Sequence, residues 1–156
     1  MSIIRLATPD DIETLTSLRV AFLEEIGEIA DGQQREAFRQ ATFVYLSKAL
    51  PQESFLAWVV EEDGQIVATS GLIFFEQAPT PLNLAGIEGY ILNIYTLPAW
   101  RSRGLGKKLM ETIIAYAKTQ GIPSLWLYAT DQGTPLYKKV GFFSLHDAMG
   151  LRVLDE

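Results

Sequence analysis

The residues best suited to chemistry lie between Tyr90 and Met110. A β-prone run, Tyr90-Ile91-Leu92-Asn93-Ile94-Tyr95-Thr96, leads through Pro98-Ala99-Trp100 into Arg101-Ser102-Arg103-Gly104-Leu105-Gly106, and a helical pattern follows. Two glycines at a helix start let the backbone come close to a ligand. The helix N-terminus offers unpaired N–H groups and a partial positive charge. Arg101 and Arg103 flank the turn, and Lys107 and Lys108 follow within the first helical turn. The pattern predicts a polyanion cradle, in which amides hold phosphate oxygens and nearby cations neutralise them. Two other nucleotide motifs fail on their residues. A dinucleotide fingerprint needs a third glycine three positions after Gly106, where Leu109 stands. A Walker-type loop needs glycine where Arg101 stands, and Ser or Thr where Lys108 stands. Taken alone, the turn also reads as a glycine-bearing helix start with solvated basic side chains.

The elements around the turn must position it. Residues 2–7 read as a strand, and Thr8-Pro9-Asp10-Asp11 as a helix start with a capping hydroxyl, an early proline and acidic residues. Ile12, Leu15, Leu18, Val20, Phe22 and Ile26 form an apolar stripe up to Gly27. A second helix opens at Asp31-Gly32 and ends before Pro51. Strands are expected over 55–60 and 66–75, joined by a turn carrying Asp63-Gly64, with Gly71 marking a bulge or a close approach. A strand over 89–96, a helix over 104–120, a strand over 124–129 and a short helix over 134–140 follow. Phe142 to Leu154 is expected to hold one or two terminal strands. This order describes one mixed α/β domain over 1–156, not a strict alternating βα series.

Composition narrows the function. The 156 residues are 48% hydrophobic and 21% charged, as in an ordinary globular domain. No apolar run reaches the roughly 20 residues of a membrane-spanning helix, so no membrane partner is expected and a cytoplasmic setting is the default. The absence of cysteine removes disulfides, thiolate metal sites and a cysteine nucleophile. The single histidine, His146, supports neither a metal centre nor a Ser-His-Asp hydrolase. A net charge of −6 argues against nucleic acid as the main partner. Basic residues gather in the second half and acidic ones in the first 31 residues, which suits an anionic cofactor and a cationic acceptor, or simply reflects surface charge.

At this point the chain resembles the GNAT superfamily of acyl-CoA-dependent N-acyltransferases. The family signature Gln/Arg-x-x-Gly-x-Gly/Ala is met by Arg101, Gly104 and Gly106. A second signature, a short helix ending in Leu-Tyr-x-x-x-Gly-Phe, is met by Leu136, Tyr137, Gly141 and Phe142. The element order matches from residue 2 to about 154. The resemblance implies a mixed, mostly antiparallel sheet, with a splayed central strand pair flanked by helices. It implies acetyl-CoA as acyl donor, coenzyme A as product, and a small-molecule or peptide amine as acceptor. Ile94, Tyr95 and Thr96 would lend backbone groups to the pantetheine arm. Arg101, Ser102, Arg103, Gly104, Leu105, Gly106 and Lys107 would hold the pyrophosphate. Tyr137 would lie near the thioester sulfur as general acid. Many relatives carry Asn seven positions before that tyrosine, where this chain has Thr130.

The implied reaction is direct attack of the amine on the thioester without a covalent enzyme intermediate. It needs a base, a donor to the carbonyl oxygen and an acid for the leaving thiolate. Glu88, on the strand before the turn, is the candidate base acting through water; its alternative is a rim carboxylate. Asn93 is read as orienting water or substrate, or as satisfying a strand bulge, and Glu25 and Glu28 as attracting a cationic amine or as a solvated helix face. A homodimer is an expectation. The competing function is a non-catalytic acyl-CoA-binding sensor or interaction module.

Overall fold

The computed structural model describes residues 1–154. Strands β1 (Ser2–Leu6), β2 (Trp58–Glu62), β3 (Gln65–Glu76), β4 (Ile87–Thr96) and β5 (Leu125–Leu127) form one sheet in chain order. Helices α1 (Ile12–Glu25) and α2 (Gly32–Ala49) cover one face; α3 (Leu105–Thr119) and α4 (Thr134–Lys139) cover the other. The middle of the sheet is therefore buried on both sides. Val59 faces α1 and α2, Val60 faces α3, and both are fully buried, which is why β2 and β3 carry continuous apolar runs rather than strict alternation. Leu109, Met110 and Ile113 anchor α3 on the sheet and are fully buried, each contributing about 1.5–3 kcal/mol relative to an exposed side chain.

Local chemistry sets the boundaries. Pro9–Asp11 form a short 3-10 turn ahead of α1, and the Asp11 carboxylate accepts the Thr8 N–H at 2.8 Å. Asp31 caps α2 by accepting the Gln34 N–H at 2.8 Å. The β2–β3 hairpin closes on Asp63 (φ 50°) and Gly64 (φ 80°), both left-handed, between the paired Glu62 and Gln65. That is the two-residue loop favoured by the strand twist.

Between β3 and β4 the register shifts: Thr69 opposes Tyr95, but Gly71 opposes Leu92. Two steps on β3 thus face three on β4, and Asn93, at φ 61°, belongs to the bulged stretch. The bulge resets the faces of β4. Leu92 and Tyr95 both meet the α1–α2 core, while Ile91 and Ile94 both meet the α3 core. At Gly71 a Cβ would lie 2.6 Å from Phe55 Cζ, so the expected close approach is real and is made by Phe55.

The strands expected within Phe142–Leu154 do not form. Gly141, at φ 104°, ends α4, and the chain then leaves Phe143, Leu145, Met149, Leu151 and Val153 exposed. β-propensity needs a cross-strand partner to become a strand, and β5 offers an edge of three residues. The first four strands pair antiparallel and only β4–β5 is parallel. That pairing covers Gly89–Ile91 against Leu125–Leu127 and stops there. Beyond Ile91 the two strands part, and Leu92–Thr96 run on without a partner on that side.

Candidate active site

The helix start of α3 lies at the end of this parted strand. Gly104 is left-handed at φ 76° and caps the helix, and Ser102 is left-handed at φ 62°. The first hydrogen bond of α3 runs from the Lys108 N–H to the Gly104 carbonyl at 3.1 Å. Among the described residues, the N–H groups of Ser102, Arg103, Gly104, Leu105, Gly106 and Lys107 therefore donate to nothing. Six successive open donors, summed with the helix dipole, suit an anionic group with several oxygens, as a pyrophosphate has. At Gly106 a Cβ would stand 3.0 Å from Leu136 Cδ2, so the second glycine lets α3 pack against α4.

Arg101 has a different engagement from the one its position suggests. Its two Nη atoms donate to the Glu25 carboxylate at 2.6 Å each, and its Nε donates to the Thr96 carbonyl at 2.9 Å. Its guanidinium also sits 5.5 Å from the centre of the Tyr95 ring. The pair ties the end of α1 to the end of β4, and the Arg101 hydrogen bonds hold the Glu25 carboxyl below its ordinary pKa. The cations left at the turn are Arg103, which lies over the Trp100 ring at 4.6 Å; Lys107, 3.6 Å from Glu111; and Lys108. Glu25 is thus occupied, and Glu28 is the remaining acidic residue of that pair beside the parted strands.

A cavity of about 370 Å³ fills the gap. β4 supplies Tyr90–Ile94, the end of β5 and its following turn supply residues 127–130, α4 supplies Tyr137, and α1 with its following loop supplies Arg19, Phe22 and Glu28. Tyr137 is 8% exposed and burial raises its pKa. Its hydroxyl makes no hydrogen bond among the described residues. Thr130 lies on the same wall but also serves α4: its Oγ1 accepts the Gly133 N–H at 3.1 Å, and its carbonyl accepts the Thr134 hydroxyl at 2.8 Å. Thr96 pairs with Ala68, Tyr95 is buried against Phe22 at 5.7 Å, and Ile94 reaches both the cavity and the α3 core.

Glu88 stands at the start of β4 opposite Phe75 and lines a second groove of about 740 Å³ along β5 and α4, which Tyr137 also borders. It does not line the smaller cavity. Two further polar side chains line the smaller cavity: Asn93, which the sequence offered for water, substrate or a bulge, and Arg19, which it did not single out. Asn93 is 5% exposed, and its Oδ1 is buried without a partner. Arg19 is half-buried and makes no ion pair or hydrogen bond among the described residues. The signal for Arg19 was present: it stands four residues after Leu15 and three before Phe22, where the apolar stripe of α1 calls for a hydrophobe.

The structure is thus a three-layer α/β domain with open amides at a helix start beside a parted strand pair. The chain belongs to the acetyltransferase (GNAT) family, whose model matches residues 23–142. It is similar to a GCN5-related N-acetyltransferase of Ralstonia eutropha JMP134, at 32% identity and a TM-score of 0.89, covering 98% of this chain and 99% of that one. A predicted acetyltransferase from Clostridium acetobutylicum, in a crystal structure with acetyl-CoA, is 30% identical with a TM-score of 0.87, covering 98% and 97%. The uncharacterized N-acetyltransferase YjgM of Escherichia coli (strain K12) is 32% identical over 111 residues, which span 67% of this chain and 61% of that protein.

Proposed function

We propose that the chain is an N-acetyltransferase that moves an acetyl group from acetyl-CoA to a primary amine by direct attack. The observation that carries this reading is the run of six open N–H groups from Ser102 to Lys107, beside a gap lined by a buried tyrosine whose hydroxyl has no hydrogen-bond partner among the described residues. The Clostridium relative's structure with acetyl-CoA supports the choice of donor.

Acetyl-CoA would supply an acyl group already activated as a thioester. The open amides of residues 102–107 hold its pyrophosphate, and Arg103, Lys107 and Lys108 neutralise it. The unpaired edge of β4 at Ile94 and Tyr95 hydrogen-bonds the pantetheine arm in the manner of a strand and presents an N–H to the carbonyl oxygen. Thr130 closes the opposite wall. Tyr137 gives its proton to the departing sulfur; burial keeps that proton on the oxygen across the neutral range. Two carboxylates stand ready to take the amine's proton through water, Glu88 in the groove shared with Tyr137 and Glu28 at the cavity rim.

The test is thiol release from acetyl-CoA over an amine panel with the wild type and Tyr137→Phe. The variant keeps the ring and loses the acid, so kcat should fall about 10²–10⁴-fold while the KM for acetyl-CoA changes little. An unchanged kcat would remove Tyr137 from the chemistry, and binding of acetyl-CoA with no release from any amine would favour a sensor module over an enzyme.

A further inference from the structure

Resting on that reading, we propose that the acceptor is an amine that also carries an acidic group, a carboxylate or a phosphate, with Arg19 taking the acidic oxygens and Asn93 Oδ1 accepting an N–H of the amine. Two independent observations point into the same cavity. Arg19 enters it from α1, without a carboxylate within ion-pair distance among the described residues. Its guanidinium lies over the Phe38 ring, 5.7 Å from the ring centre. The arginines of β1 and α2 all have carboxylate partners: Arg5 meets Asp11 and Glu61, Arg35 meets Glu24, and Arg39 meets Glu36.

A half-buried guanidinium left without an anion is costly, because water is partly removed and nothing replaces it. Burial indeed holds Arg19 below its ordinary pKa, opposed only by Tyr90, Tyr45 and Glu28 at a distance. Glu28 shares the rim but lies beyond ion-pair reach of Arg19 and is exposed, so it does not discharge the site. The planar fork of arginine matches a carboxylate or phosphate in two hydrogen bonds.

Asn93 supplies the second pole. It is held by the β4 bulge at φ 61°, and its buried Oδ1 accepts no hydrogen bond. A buried acceptor of this kind is nearly always satisfied in a working protein, and an amine N–H satisfies it. Between the poles, Phe22, Tyr90 and Tyr128 give an aromatic wall for the acceptor's carbon body. The acidic first residues suggested a cationic acceptor or plain surface charge; the occupied Glu25 and the open Arg19 add an acidic group to the amine.

Matched pairs test this. Thiol release is measured for phenylalanine against 2-phenylethylamine and for O-phosphoethanolamine against ethanolamine, which also separates carboxylate from phosphate. The acidic member of one pair should exceed its neutral partner by roughly 10- to 100-fold in kcat/KM. Arg19→Gln should collapse that ratio, and Arg19→Lys, which keeps the charge but not the fork, should retain part of it. Neutral amines matching or exceeding their acidic counterparts in both pairs would overturn the inference and leave acetyl transfer standing. So would a ratio that survives Arg19→Gln, or silence from both acidic amines while acetyl-CoA binds. Failure of acetyl-CoA itself to bind would instead strike the acetyl-transfer reading, and the inference with it.

Discussion

Gly133→Ala perturbs Tyr137 without replacing it. Gly133 has φ −81°, which alanine adopts freely, so the backbone has no objection and the unfolded chain loses entropy, a gain of about 0.4–1 kcal/mol. The objection is steric. An added Cβ would lie 2.8 Å from Tyr137 Cε2, 3.1 Å from its hydroxyl and 3.2 Å from Thr130 Oγ1. Carbon contacts settle near 3.5–4.0 Å, so the ring must retreat by about 0.7 Å or more. Overpacking of this size costs about 1–3 kcal/mol, leaving a net loss of about 0–2.6 kcal/mol. In a chain of this size that lowers Tm by about 2–4 °C for each kcal/mol.

The functional effect should be larger than the structural one. A misplacement approaching 1 Å in a reacting group costs up to about 100-fold in rate, so kcat should fall about 10- to 100-fold. The KM for acetyl-CoA should hold, since the open amides of residues 102–107 lie on a different element. Steady-state thiol release reads both constants, and a thermal melt reads the fold. In a Tyr137→Phe background the same substitution should cost little further kcat, because the displaced hydroxyl is already gone. An equal loss in both backgrounds, or full kcat in the single variant, would refute the route through Tyr137.

The other predictions concern the turn and its tie to α1. Gly104→Ala forces φ 76° on a residue with a Cβ, although that Cβ would meet nothing within 4 Å; stability should fall by about 1–2 kcal/mol from backbone strain alone, and isothermal titration should show weaker binding of coenzyme A. Glu25→Gln removes the Arg101 pair, which is part-exposed and screened, so at neutral pH it should cost at most about 1 kcal/mol. Because the folded carboxyl is held below its ordinary pKa, the pair's contribution is present above that ordinary value and is lost as pH falls through the depressed folded value. Urea melts from pH 7 down to pH 3 should therefore converge for wild type and variant at the acid end, and a constant gap would contradict the assignment.

Local chemistry was legible in the sequence wherever a residue acts on its own neighbours. Asp63-Gly64 announced a hairpin because a two-residue loop needs left-handed backbone, and Asp31 announced a helix start because its carboxylate reaches only three residues on. The glycine turn was legible for the same reason. What eluded the sequence was set by packing across the chain. Arg101 meets Glu25 only because α1 ends against β4, a direction that no local pattern encodes. Gly71 and Asn93 each signalled an irregularity, but only the pairing of β3 with β4 shows that the extra residue lies on β4 and that Gly71 makes the close approach to Phe55. The tail from Phe142 has strand-forming residues but no ladder to join, so propensity misled there. Arg19 was hidden in plain view on an apolar stripe, where a charge should have raised the question of what it faces.

The most direct test is to titrate the isotopically labelled chain with coenzyme A and follow backbone amide signals. The account predicts that signals from Ser102 to Lys107 move first and furthest, with Ile94 and Tyr95 following. Signals that stay still in that segment at millimolar coenzyme A, or that move only elsewhere on the chain, would contradict it.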